Sequence, residues 1–406
     1  MGNSDSKLNF RKAVVQLTSK NQSIDLNDQQ FWSQFWSGNI PNINDIYTLI
    51  PSYEIRALRE ESPSNLASLC SKLIEKIQQS ADGVFLSEKN QISILNCVRL
   101  LTRIIPYIFE DPEWRGFFWS EEKSQPPLGQ ALLDSLISLL FVPDFTVHAN
   151  KKNLNSDEGK VKTIDSCEYI WEAGVGFSHS PPQNYAHDFN RTEILKLLLT
   201  CFSESIYLSP LIECHVQPNL WITYFTSFKN QHALPVFTSL LNVIFSYDPV
   251  GYGLPYNYLM FTDSRESLVE VASQLLCVLL EANISLNGDH SEFEEKVQNL
   301  ADDDPHLSSP SSTSTNLFIS YISRIHRDED FNFILKGFCR LLNNPMIQTF
   351  LPGSCKKITF FQELLILFWK FCDLNKKFMY FVLKSSEILD ILVPVLYFLI
   401  DARADT

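Results

Sequence analysis

Few residues of this chain could do chemistry, and the first of them stands at its start. Met1-Gly-Asn-Ser-Asp-Ser-Lys7 puts glycine second and serine sixth. Removal of Met1 leaves the unhindered α-amine of Gly2 as a nucleophile, and Ser6 stands where N-myristoylation wants Ser or Thr. The expected chemistry is an amide bond between Gly2 and a myristoyl chain. One such chain anchors only marginally, so a second membrane contact is expected beside it. Lys7, Arg11 and Lys12 are the residues expected to supply it, since each cation near anionic lipid contributes about 1 kcal/mol.

Other reactive types are present without a workable spacing. Cys167, His179, His187 and Asp188 fall in one loop-rich stretch. Zinc takes such ligands, but the spacing matches no standard site. Cys214-His215 is adjacent in sequence, a poor arrangement for joint ligation or for a nucleophile and its base. Glu110, Asp111 and Glu113 gather carboxylates, yet Asp111-Pro112 reads first as a helix start. Gly174-Val-Gly176 and Gly251-Tyr-Gly253 are too short to identify a phosphate cradle and read as tight turns. The Gly-rich, Walker, nucleophile-elbow and zincin motifs do not occur. The chain is therefore read as no enzyme, with no catalytic residue, metal, cofactor or small-molecule substrate. The competing reading is an enzyme that uses the 165–188 loop with zinc.

Helices must position whatever sites exist. Phe10, Ala13, Val14 and Leu17 recur at i, i+3, i+4 and i+7, one face of a basic amphipathic helix over 1–20. Ser62-Pro63-Ser64 opens a helix with the stripe Leu66, Leu69, Leu73, Ile74 and Ile77. A helix from about Ile92 is expected to kink or stop at Pro106. Leu128 to Phe141 reads as a helix ended by Val142-Pro143-Asp144, and Asn190 as the cap of the next. Further helices are expected at about 231–246, 264–283, 316–325, 328–342, 359–372 and 386–400. No run of period-two strands is evident. Residues 149–163 and 284–315 are polar and read as loops, the second as a disordered Ser/Asp-rich insertion open to phosphorylation. Two aromatic, Gly- and Pro-bearing loops, 165–177 and 247–257, are richer than plain connectors and read as ordered loops or binding surfaces.

Composition bounds the rest. Of 406 residues 45% are hydrophobic and 20% charged, which makes the chain globular. Thirteen Gly beside 30 Phe, 14 Tyr and 7 Trp fit packed helices. A net charge of −14 argues against nucleic-acid binding and against membrane attachment by bulk charge. The nine cysteines form no Cys-x-x-Cys, and the polar start lacks the apolar core of a signal peptide. Both point to a reducing cytoplasm with cysteines buried as small hydrophobes. The longest apolar run, Ile391 to Ile400, holds Pro394 and falls short of the roughly twenty residues of a spanning helix. The expected fold is all-α, a helical solenoid of armadillo or HEAT type with irregular repeats. Its expected divisions are an acylated helix over 1–20, a solenoid over 21–283, the 284–315 loop and a continuation over 316–406 that looks truncated.

Several blocks carry a resemblance, in order along the chain. They are Met1 to Val14, Arg-Glu-Glu-Ser-Pro-Ser-Asn-Leu-Ala over 59–67, Tyr-Ile-Phe-Glu-Asp-Pro-Glu-Trp-Arg-Gly-Phe-Phe-Trp over 107–119, Cys-Glu-Tyr-Ile-Trp-Glu-Ala-Gly-Val-Gly-Phe over 167–177 and Tyr-Asp-Pro-Val-Gly-Tyr-Gly over 247–253. Together they resemble the high-temperature-induced dauer formation proteins, within the dymeclin-like family. The resemblance implies chains about twice as long. It also implies a myristoylated peripheral protein of the Golgi and trans-Golgi network that sorts cargo into dense-core vesicles for neuropeptide and peptide-hormone secretion. Golgi membrane lipids and unidentified trafficking proteins are the partners expected. Of functional residues it carries over Gly2 alone, as acyl acceptor. The alternative is a soluble armadillo-type adaptor with no lipid anchor.

Overall fold

Low glycine content and apolar residues at helical spacing make helices of most of the described backbone. The computed structural model describes residues 2–19, 24–38, 43–81, 86–114, 116–120, 126–148, 169–207, 219–249, 264–281, 316–346 and 357–404. The α-helices are α1 Gly2–Leu17, α2 Gln29–Ser33, α3 Ile43–Leu49, α4 Ser52–Glu61, α5 Pro63–Ala81, α6 Glu88–Phe109, α7 Leu128–Leu139, α8 Tyr185–Phe202, α9 Leu220–Phe225, α10 Ala233–Ser246, α11 Ser264–Glu281, α12 Leu317–Arg324, α13 Asp328–Leu342, α14 Phe361–Leu374, α15 Lys376–Lys384 and α16 Ile388–Ala404. The only β pairings among the described residues are the isolated bridges Pro143–Val147 and Gly174–Phe177. The fold class is all-α, a helical solenoid in kind, as the sequence predicts. The loop expectations for 149–163 and 284–315 lie outside the described residues, as do Cys167, Cys214-His215 and Gly251-Tyr-Gly253.

The chain divides into two compact units, Met1–Tyr169 with Pro181–Glu213, and Ile170–Ser180 with Cys214–Thr406. In the first, α5 packs on α4, α6 and α7, and α6 packs on α8. In the second, α10 packs on α11, α12 and α13, α11 on α14, and α13 on α14, α15 and α16. The stripe Leu66, Leu69, Leu73, Ile74 and Ile77 is fully buried, and Pro63 is the first residue of its helix. Helix α6 is the one described helix long and apolar enough to cross a membrane, and 67% of its apolar window is buried inside the protein.

Two expectations are corrected. Helix α6 runs through Pro106 to Phe109. The proline lies in the last turn, where the helix loses a single N–H, and the carbonyl of Pro106 still accepts from Glu110 at 3.2 Å. The cap of α8 is Asn184, whose side chain accepts from the N–H of Ala186 at 3.0 Å. Asn190 lies buried inside that helix and donates its amide to the carbonyl of Phe145 at 2.9 Å. Helices α3, α4, α9 and α15 were not anticipated from spacing.

Buried asparagines join the helices at their ends. The last carbonyls of a helix have no partner within it, and the first N–H groups are equally orphaned. Asn316 accepts from Phe318 N–H at 2.9 Å to cap α12, and its amide donates to Leu279 near the end of α11 at 2.8 Å. Asn375 accepts from Phe378 N–H at 3.0 Å to cap α15 and donates to the carbonyls of Ile322 and Ile325, both at 2.8 Å. Asn65 donates to Leu17 at the end of α1 at 3.1 Å. One short amide thus serves two helix ends, which aspartate, lacking a donor, cannot do.

Candidate functional site

Gly2, the expected acyl acceptor, is the first residue of α1. The inner face of that helix, Phe10, Ala13, Val14 and Leu17, is buried to 1% exposure or less. The ring of Phe10 meets Phe35 edge-on at 5.4 Å. Two of the three cations face the protein's own carboxylates. Lys7 Nζ lies 2.9 Å from Asp45 Oδ1. Arg11 forks onto both carboxylate oxygens of Glu54 and donates to the carbonyl of Leu49 at 3.1 Å. The hydrogen bond to Glu54 raises the Arg11 pKa above its ordinary value.

Lys12 stays on the exposed side with Leu8 and Val15. These three recur at i, i+4 and i+7, one stripe opposite the buried face. Leu8 and Val15 are 52% and 56% exposed. The outer face therefore offers one cation between two apolar side chains. Sequence reasoning named Lys12 and missed Leu8 and Val15, although their spacing was available to it. Asp45 and Glu54 carried no signal, because they lie 38 and 43 residues from their partners.

The Gly-bearing loop is built into the second unit. The amide of Asn242, fully buried on α10, donates to Glu172 O at 3.0 Å and Val175 O at 3.3 Å. Its Oδ1 accepts from Val175 N–H at 2.8 Å. Trp171 is buried, with its N–H on Ser239 Oγ at 3.4 Å. Glu172 pairs with Arg265 and accepts from Ser180 Oγ at 2.9 Å. A Cβ on Gly174 would lie 2.6 Å from both Asn242 Oδ1 and Phe333 Cζ, so no side chain fits there. Gly176 has φ 69°, a left-handed conformation natural to glycine. The loop is thus clamped structure over residues 170–177.

The reactive types nearby do not assemble. His179 packs against Phe177 with ring centres 6.1 Å apart. His187, on α8, faces His148 at 4.7 Å between ring centres, and its Nε2 lies 3.2 Å from the Asn184 amide. Asp188 is engaged by Arg191 at 2.8 Å. Burial, then the charges of Arg191 and His148, push the His187 pKa down to about 4. Among the described residues no three His, Cys, Asp or Glu side chains could hold a metal. Glu110 belongs to an ion pair with Arg56 at 2.6 Å, and that hydrogen bond lowers its pKa. Asp111 Oδ1 accepts from Glu113 N–H at 3.0 Å, the helix-start role predicted for it. Burial pushes the thiols of Cys70, Cys277 and Cys339 up to about 12 and Cys372 to about 11, away from the reactive thiolate.

The family model described as high-temperature-induced dauer-formation protein matches residues 1–406. Protein HID1 of Mus musculus is 56% identical, covering 100% of this chain and 52% of its own length. Protein HID1 of Homo sapiens is 55% identical over the same shares. The Ubp5-interacting protein ftp105 of Schizosaccharomyces pombe is 25% identical, with 100% of this chain and 51% of its own length covered. The chain thus spans about half the length of the curated relatives it matches. No solved structure matches it.

Proposed function

The chain belongs to the high-temperature-induced dauer-formation protein family, and from that premise we propose that it is a non-enzymatic peripheral scaffold of Golgi and trans-Golgi membranes. In this reading it serves cargo sorting, dense-core vesicle biogenesis and the secretion of neuropeptides and peptide hormones from the cytoplasmic side. Myristoyl-Gly2 is its anchor, and its surfaces bind trafficking proteins. The observation that carries the membrane part is the placement of Gly2 at the head of a helix whose inner face is buried in the first unit. A lipid there is joined to the body by a docked helix, and Leu8, Lys12 and Val15 are the nearest exposed stripe for a second contact. Lys7 and Arg11 contribute less to such a contact than their charge implies, because Asp45 and Glu54 neutralise them. One relative is named for its interaction with Ubp5, which supports partner binding.

A soluble adaptor is the second reading. It is favoured by the same two ion pairs, which leave the first helix with little net attraction for anionic lipid. Membrane co-sedimentation and Golgi co-localisation of the chain beside Gly2→Ala separate the two. The scaffold reading expects the wild type on membranes and the variant in the cytosol. Equal distribution of both removes the acyl anchor and leaves the adaptor.

A further inference from the structure

Between Asp390 and Asp401 helix α16 is apolar or aromatic on every side, the composition of a helix that is buried all round. Ile391, Pro394 and Phe398 form its buried face, with Phe398 stacked on Phe361 at 4.4 Å. The opposite face is open. Leu389, Leu392, Val393, Leu396, Leu399 and Ile400 are 46–70% exposed. These residues recur at helical spacing and make a continuous stripe. Helix α15, packed beside α16, adds Tyr380 and Leu383, each 59% exposed. Nowhere else among the described helices do so many large apolar side chains face outward together. Contiguous apolar surface of this kind marks an interaction site.

We propose that this face is an interface for apolar-faced helices, supplied by the additional sequence that the longer family members carry. Two observations choose that occupant. The chain is covered completely by relatives of which it spans only 52%, so those relatives hold nearly as much sequence again. And the face carries no net cation for an anionic lipid surface, since Lys384 and Arg403 beside it are outnumbered by Glu387, Asp390 and Asp401. The stripe also suits a helix partner, since side chains at i, i+3 and i+4 present ridges for the grooves of another helix. The inference stands apart from the acyl anchor and survives its failure.

The test compares this chain with the same chain joined, as the continued chain, to the unmatched part of the mouse protein. Hydrogen–deuterium exchange across 388–400 should slow at least about tenfold in the continued chain, as expected when an exposed helix becomes core. Leu396→Asp with Ile400→Asp should leave the melting temperature of this chain unchanged and lower that of the continued chain. The full-length mouse protein, measured beside its own matched half, gives the same comparison without a fusion. Equal exchange in the short and long forms overturns the proposal. So does light scattering that shows the short chain to be a dimer protecting 388–400, or protection of that segment by vesicles alone.

Discussion

At the scale of single residues, His187 is held where a proton is costly. It is buried on α8, opposite His148 and near the Arg191 guanidinium, which itself engages Asp188. Its folded pKa of about 4 lies below the ordinary 6.5. The unfolded chain therefore takes the proton first as pH falls. Stability is full above about pH 6.5 and is lost as pH drops toward 4, by about 1–3 kcal/mol at 1.36 kcal/mol per pKa unit. Urea midpoints measured across that range should show the slope, and His187→Gln should flatten it. A second buried group has a different stake. Arg99 Nε lies 2.7 Å from Glu193 Oε2, with both side chains at 6% exposure or less, between α6 and α8. Glu193→Ala strands a buried cation and should cost about 3–5 kcal/mol by urea denaturation, while Arg99→Met with Glu193→Leu should recover most of it.

At the scale of elements, what was legible was what is local. The buried face of α1 followed from spacing, because burial of one helix face is written every three or four residues. The pairing of its cations was not legible, since their partners Asp45 and Glu54 come from α3 and α4. The start of α8 was misplaced for a related reason. Its first half carries Asp188, Asn190, Arg191, Thr192 and Glu193, polar residues that spacing does not mark as an inner face, yet they are buried: Asn190 and Glu193 reach Phe145 and Arg99, while Arg191 and Thr192 bond Asp188 within the helix. Helix α15 is short and begins at a cap, Asn375, whose other bonds reach back to Ile322 and Ile325. The 165–177 block was visible as unusual, but its role depended on one distant amide. Asn242→Ala would orphan the buried carbonyl of Glu172 and the half-buried carbonyl of Val175, and should lower stability by about 2–4 kcal/mol in a urea titration. Gly174→Ala should produce a comparable loss through overpacking, by about 1–3 kcal/mol.

At the scale of the whole molecule, scarce glycine and abundant aromatics predicted an all-α chain. Composition had no means of showing that Ile170–Ser180 belongs with the second unit while its neighbours on both sides belong with the first. That membership has a consequence for how the protein is made. The ribosome delivers the chain in order, and the carbonyl of Glu172 emerges 70 residues before the amide of Asn242 that holds it. At about 5–20 residues per second, the interval is roughly 4–14 s. During it Ile170 and Trp171 have no core to enter, and a first unit that is already folding must leave this short segment outside itself. Nascent chains stalled before Asn242 are therefore expected to expose Trp171 to chaperones, and chains released after it are not.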